Sequence, residues 1–325
     1  MKRHATLVTT LMSVVLVAAC SSSGSLGTVP PLEPTPQPSL GSIDPDVTPG
    51  PSQPTPSSEP TPGPSSEPSS PANPTPAPSG TSVVRSYFIL AGPPGSKGLV
   101  PYLFEVPKTQ AIATAAMNAL LNNSPVNRDG FQDISSAIPA GTRLLGLTIA
   151  NGVATVDLSD EFAAGGGSGS SQFRLAQVVY TLTQFPSVDN VLFKVDGSVV
   201  TVFGSEGIVL NGPVGRSRFY DQLPTIFVDR PASGAALGNP GRVAGSAQGL
   251  FEATFRITLL DGGGRVVADQ QAMAACFCES GAFDITVAYN VSKAQWGTLR
   301  VWDGSAKDGS PENVREYPVW LTPAR

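Results

Sequence analysis

The chain has 325 residues, a formal net charge of −5 and one histidine. An acidic balance argues against nucleic acid, whose phosphates call for a basic surface. The histidine is His4, so a chain processed behind it has no imidazole. That excludes Ser-His-Asp and Cys-His catalysis and any histidine-ligated zinc.

The N-terminus reads MKRHATLVTTLMSVVLVAAC. Lys2 and Arg3 form a positive region, and Leu7 to Leu16 an apolar stretch too short for a membrane span. Val17-Ala18-Ala19-Cys20 matches a lipobox, where small residues fit a signal peptidase and the Cys20 thiolate takes diacylglycerol. Residues 1–19 are therefore expected to be a lipoprotein signal peptide. The mature chain is expected to be extracytoplasmic, lipid-anchored to the cell membrane through Cys20, and more acidic for the loss of Lys2 and Arg3. In that compartment nucleotides are scarce and dithiols tend to oxidise.

More than half of the 32 prolines fall within residues 21–80, and no Lys or Arg occurs between Cys20 and Arg85. Such composition cannot bury enough apolar surface to offset chain entropy, so residues 20–81 are expected to be a disordered, polyproline-rich linker. A spacer is the simplest role; a ligand for a proline-reading domain or a glycosylated stalk are the alternatives.

Strands are expected at Val83 to Leu90 and Leu99 to Glu105. Thr109 can cap a helix from Gln110 to Leu121 with Ile112, Ala116, Ala119 and Leu120 on one face. Leu144 to Ala150 and Val153 to Leu158 flank Asn151-Gly152, a hairpin signal because a type I′ turn needs positive φ at both central residues. The stretch GGGSGSS, Gly165 to Ser171, reads like a phosphate cradle, and a helix follows with Leu175, Val178, Val179, Leu182 and Phe185 spaced for burial until Pro186 stops it. Val191 to Val195 and Val199 to Phe203 suggest a second hairpin across Asp196-Gly197. From Pro224 the helical period gives way to alternation. Phe251 to Leu259, Val266 to Ala268, Phe283 to Ala288, Leu299 to Trp302 and Val314 to Leu321 read as strands. The fold class is thus an α+β domain, mainly antiparallel sheet with two helices, followed by an all-β immunoglobulin-like sandwich. The expected boundaries are 82–214 and 222–322.

Several stretches resemble the GerMN domain: Ser136-Ala137-Ile138-Pro139-Ala140-Gly141-Thr142-Arg143-Leu144-Leu145-Gly146, Val153 to Ser159, and Arg174 to Leu182. The C-terminal half, with Phe251-Glu252-Ala253 and Ala306 to Asn313, is similar to the immunoglobulin-like domain that accompanies GerMN. The resemblance implies a role in sporulation, germination or envelope assembly, and it brings no catalytic motif. Lipoprotein relatives that influence an envelope sensor kinase also carry a β-propeller. No segment here matches one, so that role is not carried over.

Four places hold candidate chemistry. The glycine loop lacks the lysine of a P-loop, and on this reading lies outside a βαβ unit, so no nucleotide is expected. It is read as a connection to a helix capped by Ser170 or Ser171, whose free N–H groups retain room for one anion or sugar hydroxyl. Asp157, Asp160 and Glu161 crowd together before it, and two carboxylates can run glycoside hydrolysis, which outside the cell means peptidoglycan cleavage. Cys276-Phe277-Cys278 invites a disulfide, although i and i+2 on a regular strand sit near the limit of disulfide spacing; two free thiols or a redox switch are the other options. The loop Gly304 to Asn313, with Lys307, Asp308 and Glu312, is the first choice for a partner-binding surface. Trp296, Trp302 and Trp320 read as core or edge residues rather than a sugar platform.

The sequence therefore points to a non-catalytic envelope lipoprotein that binds an envelope protein or cell-wall glycan. It carries no metal or cofactor expectation. The alternatives are a peptidoglycan hydrolase using Asp157 with Asp160 or Glu161, and a plain spacer or adaptor.

Overall fold

A computed structural model describes residues 80–122, 134–276 and 280–324. Cys20, Cys278 and nearly all of the expected linker lie outside the described residues.

The first half begins with β1 (Thr81–Leu90) and β2 (Gly98–Pro107), an antiparallel pair in register from Thr81↔Pro107 to Leu90↔Gly98. α1 (Ile112–Asn122) follows, and Thr109 Oγ1 accepts the Ala111 N–H at 3.1 Å in front of it. It buries Ala113, Ala116, Met117, Ala119 and Leu120, while Ile112 stays half-buried. β3 (Ile134–Ser135) pairs with the far edge of β1. β4 (Leu144–Ala150) and β5 (Val153–Leu158) form the expected hairpin, with Asn151 at φ 52° and Gly152 at φ 76°.

From there the chain departs from expectation. α2 (Ser168–Leu182) is a crossover, because the next strand, β6 (Asn190–Val195), pairs with β5 in parallel. Parallel neighbours cannot be joined by a tight turn, and here the helix makes the return. The glycine loop therefore does lie in a β–α–β unit. β7 (Ser198–Val199) turns back on β6, but the expected strand to Phe203 breaks there. Val200 N–H still reaches Phe193 O, whereas Thr201 O accepts from Leu210 N, so the chain leaves β6. β8 (Val202–Phe203) then pairs with β9 (Ile208–Val209) instead. Both helices pack on β1, which is buried on both faces from Ser86 to Leu90.

The second half is a sandwich. β10 (Ile226–Arg230), β12 (Gly241–Ala247) and β15 (Gly281–Val287) form one sheet in the order β10-β12-β15, with the short β11 (Ala236–Leu237) lying between β10 and β12 in sequence. β13 (Thr254–Leu260), β14 (Val266–Met273), β16 (Gln295–Gly304) and β17 (Pro311–Leu321) join β11 in the other, ordered β11-β17-β16-β13-β14. Facing residues fill the space between, and the Phe255 and Phe283 rings meet at 4.8 Å. Phe251 does not enter the strand expected of it. Residues Phe251–Ala253 form a 3₁₀ turn with Glu252 and Ala253 at positive φ, and Phe251 is left 71 % exposed.

One apolar core runs through both halves, from Tyr87, Leu99 and Val178 to Val228, Ile257 and Tyr317. Among the described residues no helix is long and apolar enough to cross a membrane.

Candidate functional site

The glycine loop is closed on a cation from its own helix. Arg174 is 2 % exposed, and its guanidinium donates to four main-chain carbonyls. These are Phe162 O at 2.6 Å, Ala164 O at 3.1 Å, Gly165 O at 3.1 Å and Ala137 O at 3.1 Å. Gly165 and Gly166 take φ of 59° and 82°, a left-handed turn that leaves the Gly165 carbonyl on the guanidinium. A phosphate cradle presents N–H groups to an anion; this loop presents C=O groups to a guanidinium. A Cβ on Gly166 would stand 3.1 Å from both Arg174 Nη2 and Ser170 Oγ. The helix starts earlier than expected, with Gly167 as its N-cap and no capping side chain. Ser170 and Ser171 fall in the first turn, where Ser171 Oγ is buried without a hydrogen-bond partner among the described residues.

Asp157 is engaged apart from the other two, whereas the adjacent Asp160 and Glu161 side chains interact with each other. Asp157 Oδ1 accepts the Gly197 N–H at 3.0 Å and so fastens the β6–β7 turn. Asp160 is exposed at the start of the 3₁₀ turn Asp160–Ala163. Glu161 accepts a short hydrogen bond from Ser159 Oγ, which in turn accepts Arg143 N–H at 2.9 Å. Arg143 Nη2 stands 3.9 Å from Glu161. The Ser159 bond above all, with help from Arg143, holds the Glu161 carboxyl below the usual glutamate range. A glycosidase acid needs its pKa raised. No hydrogen bond links Asp157 to Asp160 or Glu161 among the described residues.

Cys276 is disulfide-bonded. Among the described residues no group of three or more His, Cys, Asp or Glu side chains gathers for a metal.

The hairpin between β16 and β17 has an exposed tip and an engaged base. Lys307, Asp308 and Glu312 are exposed. Asp308 Oδ1 accepts Ser310 N–H at 3.0 Å and Ser310 Oγ–H at 2.6 Å, which shapes the turn. At the base, Asn313 Nδ2 donates to Asp303 at 2.8 Å, and Ser96 Oγ of the β1–β2 turn donates to Val314 O at 2.7 Å. The tryptophans lie on the same two strands, Trp302 near the tip and Trp296 and Trp320 at the far end. Trp296 and Trp320 pair edge to face at 5.3 Å, and Trp302 donates to Thr258 Oγ1 at 3.1 Å under Arg256.

That base belongs to a wider junction between the halves. Arg315 is 1 % exposed and donates to Ser96 O at 2.8 Å and Leu99 O at 2.6 Å. On the other side of the junction, Asp229 at the end of β10 accepts from Arg85 Nη1 at 3.2 Å and from the buried Tyr87 hydroxyl. Burial, then the Asp229 charge, pushes the Tyr87 phenol far up, so it stays a donor. Arg216 stacks at 4.6 Å on Tyr180 and gives Nε to Thr183 Oγ1 at 2.8 Å. The Phe227 ring meets Tyr180 edge-on at 5.9 Å. Two open cavities border this junction, of about 450 and 420 Å³.

Comparison with known proteins fits this two-part architecture. Residues 85–201 match the family Germane, described as sporulation and spore germination. Residues 225–310 match Gmad2, the immunoglobulin-like domain of bacterial spore germination. The chain is a GerMN-domain protein with a Gmad2 domain behind it. Among solved structures, the first GerMN domain of the sporulation protein GerM from Bacillus subtilis is 24 % identical, covering 42 % of this chain and 98 % of that one at a TM-score of 0.35. The tandem GerMN domains of the same protein are 15 % identical over 76 % of this chain, which spans 62 % of that structure, at a TM-score of 0.38. A putative lipoprotein from Clostridium perfringens is 21 % identical over 44 % of this chain and 93 % of that one, at a TM-score of 0.30. No curated protein matches.

Sequence reasoning missed the GerMN–Gmad2 junction, although a signal was present. In Val314 to Leu321, alternation puts Arg315 on the face of Tyr317, Val319 and Leu321, all of them buried. In β1, Arg85 shares a face with Tyr87 and Ile89. A charge on the inward face of an apolar strand needs a partner from elsewhere in the fold.

Proposed function

We propose that this GerMN–Gmad2 protein is a non-catalytic, extracytoplasmic binding protein, lipid-anchored through Cys20, that contacts an envelope protein or cell-wall glycan in sporulation, germination or envelope assembly. The family supports the process. The observation that carries the binding reading is the junction: a shared core, the buried Arg315 and the Tyr87–Asp229 contact join the two domains. Domains joined through a common core favour one shared binding surface, and a preorganised surface loses little freedom on binding. The acidic side chains best placed for hydrolysis are instead tied to local structure, Asp157 to Gly197 and Glu161 to Ser159.

Photo-crosslinking in intact cells tests this, with probes at exposed positions of both domains and mass spectrometry of Cys20. The expected result is a diacylglyceryl-modified Cys20 and a reproducible captured envelope component. A processed chain in the cytosol with Cys20 unmodified, or no capture from any position, contradicts the reading and favours a plain spacer.

A further inference from the structure

The two cavities beside the junction adjoin, for Arg230 and Arg242 line both. Arg85 enters the first and Arg216 the second. One groove therefore gathers four guanidinium groups from four separate segments, on a chain whose net charge is −5. Among the described residues the carboxylates within reach are fewer and already engaged. Asp229 is held by Arg85 and Tyr87, and Asp284 takes a fork from Arg242, at 2.7 and 2.5 Å. Arg230 is exposed and makes no ion pair or hydrogen bond through its side chain among the described residues. Clustered like charges repel, and an anion laid across them relieves that repulsion while gaining forked, charge-assisted hydrogen bonds.

The two halves of the groove differ in character, which narrows the ligand. Ala236 and Pro240, both exposed, wall the first half over the buried Pro231 and Leu237. Tyr220, Ser246 and Ser280 line the second. A phosphate polymer is polar throughout and would leave the apolar wall facing charge. A peptide can place a carboxylate at the shared arginines, a small apolar side chain on the wall, and main-chain polar groups against the serines and tyrosine.

We propose that this groove binds an acidic peptide segment of a partner protein, with its carboxylate on Arg230 beside Arg242 and an adjoining small apolar side chain against Ala236 and Pro240. The proposal rests on the binding reading above. The test titrates the full chain with a short, end-blocked peptide of alternating glutamate and alanine, followed by calorimetry. Saturable binding that weakens with added salt is expected. Arg230→Ala should weaken it at least about tenfold, the worth of one charge-assisted bond. Arg265→Ala removes the same charge from the distant β13–β14 turn and should leave affinity unchanged. Three results overturn the assignment: no saturable binding, equal loss in the two variants, or stronger competition by poly(glycerol phosphate) or purified muropeptides than by free peptide. Crosslinks in cells that survive Arg230→Glu would remove the groove while leaving the binding reading intact. Absence of crosslinks in the wild type would remove the reading itself.

Discussion

Replacing Arg315 by methionine tests how the GerMN and Gmad2 domains are held together. The guanidinium is buried and, among the described residues, has no carboxylate partner and leaves Nε without a hydrogen bond. Its donors serve the β1–β2 turn: Ser96 O at 2.8 Å, Leu99 O at 2.6 Å and, more weakly, Gly98 O at 3.4 Å. Hydrogen bonds from a charged group contribute about 1.5–3 kcal/mol each, so the two short ones amount to roughly 3–6 kcal/mol. Against this stands the orphaned Nε, whose relief returns about 1–3 kcal/mol. Methionine fills much of the volume, so little cavity cost is added. The difference, taken between the midpoints of the two ranges, is an expected net loss of about 2.5 kcal/mol. Urea denaturation of the full chain measures it. Tryptophan fluorescence reports the sandwich, which holds all three tryptophans, and circular dichroism reports both domains. The wild type should unfold in one coincident transition. The variant should show a lower midpoint, with the two signals separating as the domains lose their clamp. Arg300→Met, which removes a half-exposed bridge to Glu316, should cost no more than about 1 kcal/mol. If Arg315→Met matches the wild type within about 0.5 kcal/mol with coincident signals, the guanidinium is no clamp and the apolar core alone joins the domains.

Glu161 should titrate below the ordinary glutamate range when its carboxyl carbon is followed by NMR, and Ser159→Ala should bring the midpoint back up. Because its folded pKa is depressed, any stability it contributes is present above the ordinary glutamate pKa and is lost as pH falls through the lowered value. A midpoint above the ordinary range would revive Glu161 as a general acid. Gly166→Ala should destabilise the chain by about 1 kcal/mol or more, since φ of 82° disfavours a side chain and its Cβ presses on Arg174. A neutral result in thermal melts would mean that the loop is not held on the guanidinium. Tyr87→Phe removes the hydroxyl bound to Asp229 and should cost about 1–3 kcal/mol in the same melts, and no loss would show that Arg85 alone satisfies the carboxylate.

The elements read most plainly from sequence are those specified locally. The β4–β5 hairpin follows from Asn151-Gly152, and α2 from the spacing of Leu175, Val178, Val179 and Leu182. Pairing is not local, and there the reading failed. Nothing in Val191 to Val195 says that its partner is β5 across a helix, so the glycine loop was placed outside the β–α–β unit it occupies. Phe251 fits the alternation of the strand after it, yet Glu252 and Ala253 break the strand in a left-handed conformation that glycine would have announced. The candidate carboxylates were found as a cluster in sequence, but Asp157 is held by Gly197 from a distant turn, and the Ser159 hydroxyl that holds Glu161 is placed by the Arg143 N–H of another segment. The arginine groove was invisible because its four cations come from residues 85, 216, 230 and 242, which only the folded junction brings together.

The central claim is that this GerMN–Gmad2 protein works by contact and performs no bond chemistry on the wall. The most direct measurement incubates the purified full chain with isolated sacculi and quantifies soluble muropeptides by chromatography and mass spectrometry. The account predicts no release above a protein-free control, for the wild type and Asp157→Asn alike. Release by the wild type that disappears in Asp157→Asn would contradict it.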